Sequence, residues 1–209
     1  MTTQSTRAQA APGDAALRAM FAARKQVFID LLKWDLPALD GRFELDQFDN
    51  PHARYLILLD PHDLRHRASA RLLPTTAPHL LGDIYPHLCP DGAPSDESIW
   101  EISRFCLDPA QTAAERLDAR NQLVSALADH ALQHGIREYV GIADTRWFAK
   151  ISSFGWSCRA FGPARPGGGC PILAFGIRID KDTLPGLRRT GTWAPLGLKL
   201  ESGELAPRE

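Results

Sequence analysis

The chain has 209 residues, of which 44% are hydrophobic, and this size and composition are typical of one globular domain with a substantial core. Its formal net charge of −1 gives no overall attraction to nucleic acid or to a membrane surface. No apolar run approaches the roughly 20 residues of a transmembrane helix, no signal segment precedes Met20, and the four cysteines form no CxxC pair. We therefore expect a single cytoplasmic domain over residues 1–209 that binds neither nucleic acid nor membranes.

The first half of the chain predicts a helix, a loop and a hairpin. Residues 1–13 are small and polar and are expected to form a disordered start. From Asp14, a suitable N-cap, apolar residues recur at helical spacing until Pro37 ends the segment. Residues 36–51 break this periodicity and are expected to be a loop that carries carboxylates. The runs Arg54–Leu59 and Ala68–Leu73 predict an antiparallel hairpin, and residues 75–98, rich in Pro, Gly and Asp, predict an ordered loop.

The second half alternates strands and helices. The predicted elements are, in order, a strand Ile99–Leu107, a helix Thr112–His134 with Gly135 as C-cap, a strand Glu138–Ala143, a helix Arg146–Phe154, a strand Ser157–Phe161 and a strand Pro171–Ile179. Residues 182–209 are weakly patterned and are expected to wrap the surface or fray. This order of elements predicts an α/β fold, a three-layer α-β-α sandwich around a mixed, twisted sheet.

The predicted strand Ile99–Leu107 carries charged residues in its interior. Ionic groups in a central strand cost several kcal/mol unless they have partners, so Glu101 and Arg104 indicate either a cleft floor or structural salt bridges in a core strand. Strict alternation places Glu101 with Ser103 on one face and Arg104 on the other. Glu101 and Arg104 can therefore serve one cleft only if the strand bulges or the first helix wraps its edge.

Three further clusters combine charge with aromatic side chains. They are Arg24 with Phe28 and Trp34, the loop carboxylates Glu44, Asp46 and Asp49, and Arg71. Each cluster alone has a structural explanation, because a helix arginine can extend its stem along an apolar surface and loop aspartates often cap turns.

Taken together, four motifs in this order resemble those of the acyl-homoserine lactone synthases, or autoinducer synthases. The motifs are RKQVF with Trp34 (Arg24–Trp34), FELDQFD (Phe43–Asp49), RLLPTT (Arg71–Thr76) and WEISRF (Trp100–Phe105). The resemblance is close over the first half of the chain and extends over the second half only in element order. It implies an N-acetyltransferase-like fold and quorum-sensing signal synthesis. The implied substrates are S-adenosylmethionine and an acyl group on acyl carrier protein or acyl-CoA, the products are an N-acyl-homoserine lactone and methylthioadenosine, and no cofactor or metal is implied.

The residue chemistry agrees with that reaction. S-adenosylmethionine carries a sulfonium, an ammonium and a carboxylate, so its pocket needs carboxylates, arginines and an aromatic face. The residues expected to supply them are Arg24, Phe28, Trp34, Asp46, Asp49, Arg71 and Arg104. The expected catalytic residues are Glu101, Glu44, Ser103 and Arg104. Glu101, or Glu44 through a water, is the candidate base, and backbone N–H groups at a bulge near Ser103–Phe105 would stabilise the oxyanion. In the second step the carboxylate attacks its own γ-carbon, which needs mainly a folded conformer.

An apolar tunnel is needed for the acyl chain. The residues expected to bind the acyl group and its pantetheine arm are Phe105, Gly141, Ile142, Trp147 and Ile151, with Leu123, Leu127 and Phe175 as further lining. Each of them could equally be plain core. The family often has Thr or Ser near Gly141, a position linked to 3-oxo acyl chains, so Gly141 favours an unsubstituted acyl group.

The identity of the acyl donor, a possible metal site and the alternative functions are inferred from weaker sequence patterns. Nine basic against four acidic residues between Arg137 and Arg189 predict a docking patch for an acidic carrier protein, with Arg146 and Lys150 as its test residues. The segment DPAQTAAERLDAR shows no phosphate cradle, which favours a protein-borne donor, although relatives that use acyl-CoA leave this open. His130 and His134 have metal-ligand spacing but no third ligand, so we expect no metal. The alternatives are an acetyl-CoA-dependent small-amine N-acetyltransferase and a non-catalytic acyltransferase-like binding module.

Overall fold

The computed structural model describes residues 12–167 and 169–204, so most of the predicted disordered start, residues 1–11, lies outside the described residues. The elements of the first half are α1 (Pro12–Arg24), which runs on as a π-helical segment (Lys25–Leu31), β1 (Ala38–Leu39), β2 (Phe43–Glu44), β3 (Arg54–Leu59), β4 (His66–Pro74) and α2 (Leu80–Asp83). Those of the second half are β5 (Ile99–Leu107), α3 (Ala113–His134), β6 (Glu138–Asp144), α4 (Thr145–Ser152), β7 (Ser157–Ala160), β8 (Ile172–Arg178), α5 (Thr183–Arg189) and β9 (Lys199–Glu204).

Seven strands form one sheet in the order β7-β8-β6-β5-β4-β3-β9. Only β5 and β6 are parallel, and every other pair is antiparallel, so the sheet is mixed as predicted. The predicted hairpin is β3 with β4, and the long helix α3 begins at the Thr112 capping box and ends at Gly135 in the left-handed conformation. These predictions are confirmed.

Apolar side chains cover both faces of the sheet. On one face the core joins the sheet to α3, α4 and α5 through residues such as Leu56, Leu127 and Leu187. The other face has two separate apolar clusters, one under α1 around Tyr55 and one under α2 around Leu81. The three-layer arrangement is therefore confirmed, and the face that carries α1 and α2 has a gap between its two clusters. We call this side of the sheet the cleft face.

Three sequence predictions were wrong in detail. The first helix begins at Pro12, before the predicted N-cap Asp14, so the end of the predicted disordered start is helical. The predicted loop 36–51 contains the small hairpin β1–β2. The weakly patterned segment after Lys181 neither wraps loosely nor frays within the described residues, because it forms α5 and the sheet strand β9.

Over residues 12–204, leaving out Gly168, no helix has both the length and the apolar character needed to cross a bilayer.

Candidate active site

Arg24 and Phe28 reach the cleft from the end of the first helix. Met20 and Phe21 are buried on α1, and Arg24, about one turn later, continues their stripe, so its guanidinium is fully buried. Arg24 Cζ lies 5.0 Å from the centre of the Phe21 ring, a cation–π contact. Phe28 lies in the following π-helical turn and stacks on Trp34 with 5.0 Å between ring centres. Trp34 is 48% exposed, so this aromatic pair ends at the protein surface.

Three carboxylates come from the segment that follows the β1–β2 hairpin. Glu44 ends β2 and is fully buried. The Asp46 side chain accepts a hydrogen bond from the Phe48 N–H, and the Asp49 side chain accepts one from the Asp46 N–H, both at 2.9 Å. The Tyr55 hydroxyl, from β3, donates to Asp49 Oδ1 at 2.8 Å. The loop is thus fixed by its own aspartates, which are good turn formers.

The central strand β5 bulges where its charged residues lie. Arg71 pairs with Ser103 whereas Ser69 pairs with Cys106, so one residue of β4 faces two residues of β5. Arg104 adopts the left-handed conformation with a φ of 52°, as expected at such a bulge. The extra residue brings the Arg104 side chain to the cleft face beside Ser103. The bulge that the sequence required for one shared cleft is therefore confirmed.

Six of these side chains form a closed cycle of ion pairs, which we call the ionic ring. In order around the cycle its members are Arg24, Glu44, Arg104, Asp46, Arg71 and Asp49. Arg24 donates to Glu44 at 2.6 Å and to both oxygens of Asp49 at 2.8 Å. Arg104 donates to Glu44 at 3.0 Å and to Asp46 at 2.7 Å. Arg71 donates to Asp46 at 2.6 Å and lies 3.0 Å from Asp49, while its Nε donates to Ser103 Oγ at 3.0 Å.

The ring carries three guanidinium and three carboxylate groups, and the resolved pKa shifts of Arg24 and Asp49 follow from their contacts with each other. Burial by itself raises the pKa of Asp49, but Arg24 and Arg71 outweigh burial and hold that pKa well below its usual range. Burial by itself lowers the pKa of Arg24, and Asp49 and Glu44 reverse the effect and raise it. Burial and the Asp49 charge both raise the pKa of Tyr55, so its hydroxyl stays protonated and donates.

Only one corner of the ring reaches solvent. The side chains of Arg104 and Asp46 are 6% and 7% exposed, whereas those of the other four members are between 0 and 1% exposed. Arg104 also lies over Phe28, with 5.6 Å from Cζ to the ring centre. An incoming zwitterion therefore meets a guanidinium, a carboxylate and an aromatic ring at one place.

The three ring carboxylates also offer oxygens within 4.8 Å of one another, close enough to hold a metal ion. Guanidinium N–H groups already engage all three of them, and the ring is neutral as it stands. A metal ion needs several of these oxygens at once and would have to displace the arginines that hold them, so this donor set does not suit a metal.

Glu101 lies on the cleft face at the boundary between the ionic ring and the α2 cluster. It is 1% exposed, and its carboxylate accepts from the Leu80 N–H at 3.3 Å and from the Leu81 N–H at 2.7 Å. Burial raises the pKa of Glu101, against the opposing effects of the Leu81 N–H, His79 and Arg71. A carboxylate with an elevated pKa is a stronger base than one in water.

The residues expected to bind the acyl group lie on both faces of the sheet. Phe105 and Trp147 contact each other with 5.5 Å between ring centres, on the α3 face that also holds Ile151. Gly141 lies on the same face, where an added Cβ would meet the Phe175 ring at 2.9 Å. The remaining residue, Ile142, packs on the cleft face in the α2 cluster. The structure therefore brings Phe105, Gly141, Trp147 and Ile151 to one face and places Ile142 apart from them.

The strands β5 and β6 separate beside these residues. They pair only from Ile99 with Glu138 to Glu101 with Val140, although both strands continue beyond that point. Two parallel strands that part in this way leave backbone N–H and C=O groups facing each other across an open notch.

The basic residues expected to form one docking patch are split. Arg137, Arg159 and Arg178 line a groove at the end of the sheet where β5 and β6 begin, and they face Glu138 there. The exposed Arg146 and Lys150 lie on α4, which follows the opposite end of β6, roughly 20 Å away for a strand of this length. The α4 pair lies at the end where β5 and β6 separate, as does Arg165, which bridges to Ile172 opposite Asp144.

Two buried polar residues near the site were missed at the sequence level. Tyr55 lies within the apolar run RYLILL. Its hydroxyl is the feature of that residue that could have predicted a polar partner, which is Asp49. His79 is 5% exposed, and no pattern in the loop 75–98 distinguishes it from His87 or other loop residues.

Comparison with known proteins gives a consistent result. The family model described as autoinducer synthase matches residues 9–185. An acyl-homoserine-lactone synthase of Ralstonia nicotianae is 36% identical over 169 residues, which cover 78% of this chain and 82% of that protein. The solved structure of a CoA-dependent acyl-homoserine lactone synthase, BjaI, with SAM and isopentyl-CoA has 30% identity and a TM-score of 0.76, covering 85% of this chain and 83% of that one. A putative N-acetyltransferase from Lactobacillus plantarum shares the fold at 18% identity, with a TM-score of 0.55 and coverage of 81% and 94%.

Proposed function

Because the chain belongs to the autoinducer synthase family and is an acyl-homoserine-lactone synthase, we propose that it binds S-adenosylmethionine at the open corner of the ionic ring. The acyl donor is a phosphopantetheine thioester, carried by acyl carrier protein or by CoA. The products are an N-acyl-homoserine lactone, a quorum-sensing signal, and methylthioadenosine. The observation that carries the proposal is the corner of the ring that reaches solvent, made by Arg104 and Asp46 beside the buried Phe28 ring.

Each charged group of S-adenosylmethionine has a matching group at that corner. Arg104 has the fork of N–H donors that suits the substrate carboxylate, and Asp46 suits the ammonium. The stacked rings of Phe28 and Trp34 offer a face to the sulfonium. The buried members of the ring act through these residues, because Arg24 and Arg71 hold Glu44, Asp46 and Asp49 in place before the substrate arrives.

Acyl transfer requires the substrate amine to lose protons and attack the thioester carbon. We assign Glu101 as the base, since its pKa is raised by burial and it lies on the cleft face two residues from Ser103. Glu44 is less suited to this role, because both of its oxygens accept from Arg24 and Arg104. Ser103 is a positioning residue that accepts a hydrogen bond from Arg71 Nε. The backbone N–H groups of the β5 bulge are the proposed oxyanion donors, since a bulge withdraws such groups from the regular ladder.

The notch between β5 and β6 suits the pantetheine arm. An extended arm with two amide groups can hydrogen-bond to strand backbone there, as an added strand would. From the notch the acyl chain enters the apolar region of Phe105, Trp147 and Phe175 on the α3 face. Gly141 leaves room for the Phe175 ring beside this path, which fits an unsubstituted acyl chain.

Lactone closure follows from the position of the bound substrate. The carboxylate held by Arg104 attacks its own γ-carbon, the C–S bond breaks, and its electron pair neutralises the sulfonium as methylthioadenosine leaves. The enzyme mainly holds the folded conformer, which is catalysis by proximity. Both steps are polar and need no redox group, so we infer that no cofactor takes part. We also infer a cytoplasmic reaction, because that is where acyl carriers are loaded.

The experiment that tests this function follows methylthioadenosine by chromatography. The purified chain is incubated with S-adenosylmethionine and with acyl carrier protein or CoA thioesters of different chain length. Release that requires both substrates, and that Asp46→Asn lowers by at least tenfold, supports the proposal. Release without an acyl donor, or none with any donor, contradicts it.

A further inference from the structure

The groove at the end of the sheet where β5 and β6 begin is separate from the ionic ring. Its volume is about 460 Å³, which lies within the usual range for a small-molecule site. Beside the three arginines already named, it is lined by Ser98, Ile99, Glu138 and Ser157. Ile99 also packs against the α2 cluster, so the groove opens on the cleft face. None of these residues takes part in the proposed synthesis of the lactone.

The register of the sheet brings the polar groups of the groove together. Glu138 on β6 lies opposite Arg178 on β8, which in turn lies opposite Ser157 on β7. Residues that are directly opposite point to the same face, so these three side chains form one row across the sheet. Arg137 precedes this row, and its Nε donates to Ser98 Oγ at 2.9 Å beside the start of β5.

Arg159 is fixed by two contacts beside a glycine. Its Nη2 donates to Glu138 Oε1 at 2.8 Å, and its Cζ lies 4.5 Å from the centre of the Phe161 ring. The pair of Arg159 and Glu138 lies over Gly176, where an added Cβ would collide with Glu138 Oε1. The guanidinium is therefore held in place before a ligand arrives, and Glu138 Oε2 takes no part in the pair.

The other two arginines keep most of their N–H donors open to solvent. The side chains of Arg137 and Arg178 are 76% and 75% exposed. Arg137 lies 3.6 Å from Asp96 and Arg178 lies 3.4 Å from Asp180, and both distances are longer than a usual N–H···O hydrogen bond. The lining holds three guanidinium groups and one carboxylate, so it carries an excess of positive charge.

A phosphate monoester matches these groups better than a carboxylate does. It carries about 1.5 to 2 negative charges at pH 7 and three strong acceptor oxygens, which suit converging guanidinium groups. The hydroxyls of Ser98 and Ser157 and the carboxylate of Glu138 suit the hydroxyl groups of a polyol. Among the described residues no aromatic side chain lines the groove, so it lacks the surface on which a nucleotide base would stack.

We propose that this groove binds the phosphate monoester of a small polyol, such as a sugar phosphate. Arg137, Arg159 and Arg178 bind the phosphate oxygens, and Glu138 with Ser157 binds the hydroxyl groups. Because the arginines are exposed, the affinity falls as the salt concentration rises. The site depends on the groove alone, and it does not rest on the proposed function.

Isothermal titration calorimetry of the whole chain at pH 7 and low salt tests the class of ligand. The probes are glucose 6-phosphate, ribose 5-phosphate, glycerol 3-phosphate, glucose, inorganic phosphate and AMP. We expect at least one of the three polyol phosphates to bind with a Kd at or below about 1 mM, and inorganic phosphate and AMP to bind at least about threefold more weakly. If none of the polyol phosphates binds at about 10 mM, or if glucose or AMP binds as tightly as they do, the proposal is overturned.

A pair of double variants tests the place of binding. Arg137→Gln with Arg178→Gln should raise the Kd of the polyol phosphate at least about tenfold. Arg65→Gln with Arg189→Gln removes the same charge at exposed positions that do not line the groove, and it should leave the Kd within about twofold. Circular dichroism confirms that both variants fold. An unchanged Kd in the first variant, or an equal loss in both, would overturn the proposal, because binding would then not need this groove.

Discussion

Replacing two different arginines of the ionic ring by methionine should separate stability from catalysis. Arg24 is fully buried, and it holds Glu44 and Asp49 with three hydrogen bonds between 2.6 and 2.8 Å. Arg104 lies at the exposed corner, and its partners keep other arginines, since Glu44 stays bound to Arg24 and Asp46 to Arg71. Arg24→Met should therefore damage the fold, and Arg104→Met should damage substrate binding and turnover.

The magnitudes follow from what each substitution leaves behind. Removing one partner of a buried ion pair costs about 3–5 kcal/mol, and the remaining contacts of Asp49 with Arg71 and Tyr55 place Arg24→Met near about 3 kcal/mol. For a chain of this length this lowers Tm by roughly 6–12 °C. Arg104→Met leaves no buried charge without a partner and should cost about 1 kcal/mol of stability. Loss of its contact with the substrate carboxylate should cost about 3 kcal/mol, or roughly 150-fold in kcat/KM.

Thermal unfolding by circular dichroism and methylthioadenosine release with varied S-adenosylmethionine measure the two effects on the same samples. If Arg104→Met keeps wild-type kcat/KM, the substrate carboxylate is not held at this corner. If it instead unfolds as readily as Arg24→Met, the distinction between the buried and exposed parts of the ring is wrong.

Three further variants test other parts of the structure. Burial lowers the pKa of His66 from 6.5 to about 4. Between these two values the unfolded chain binds a proton that the native chain does not, so the free energy of unfolding falls by about 2 kcal/mol from pH 7 to about pH 5. His66→Gln should remove that part of the change in Tm. Gly141→Ala pushes a Cβ against the Phe175 ring, so it should cost about 1–3 kcal/mol in thermal unfolding and alter the acyl-length preference measured by product mass. Arg146→Glu with Lys150→Glu should raise KM for an acyl carrier protein donor at least tenfold and leave KM for acyl-CoA within about twofold.

Each of these has a matched control in the chain. His52 is exposed, so His52→Gln, the same substitution at a surface position, should leave Tm at pH 7 nearly unchanged. Gly197→Ala meets nothing closer than 3.8 Å and should be nearly neutral. Arg137→Glu with Arg178→Glu reverses charge at the far end of the sheet and should leave both donors unaffected. If a control variant changes the measured property as much as its test variant does, the corresponding assignment is wrong.

The fold was accessible from the sequence because its main elements are locally encoded. Local sequence patterns predict two strands and a helix. The strands are the apolar runs Arg54–Leu59 and Ile99–Leu107, and the helix follows the N-cap Thr112. The strand β9 has no such pattern, since KLESGE is mostly polar, and its strand state comes from pairing with β3. Nonlocal pairing of this kind overrides weak local preference.

The sequence allows the residue types of the candidate site to be predicted, but it does not allow their ion-pair partners to be predicted. Charges placed inside apolar segments, such as Arg24 on a buried helical stripe and Arg104 in a strand, signal partners that compensate them. The closed order of the ring depends on which arginine reaches which carboxylate across 20 to 60 residues of chain, and no local rule encodes that. The prediction of a single basic patch was wrong for a similar reason. Arg137 and Arg146 are close in sequence, but they lie at opposite ends of β6.

The most direct test of the central claim is mass spectrometry of the product made from S-adenosylmethionine labelled with ¹³C at the methionine carboxyl carbon. With a thioester of known acyl length, we expect a labelled N-acyl-homoserine lactone of the corresponding mass, formed in equal amount with unlabelled methylthioadenosine, and neither product from Arg104→Met above about one hundredth of the wild-type rate. An acylated product that retains the adenosyl group, or methylthioadenosine without a matching lactone, would contradict the proposal that one site both acylates and closes its substrate.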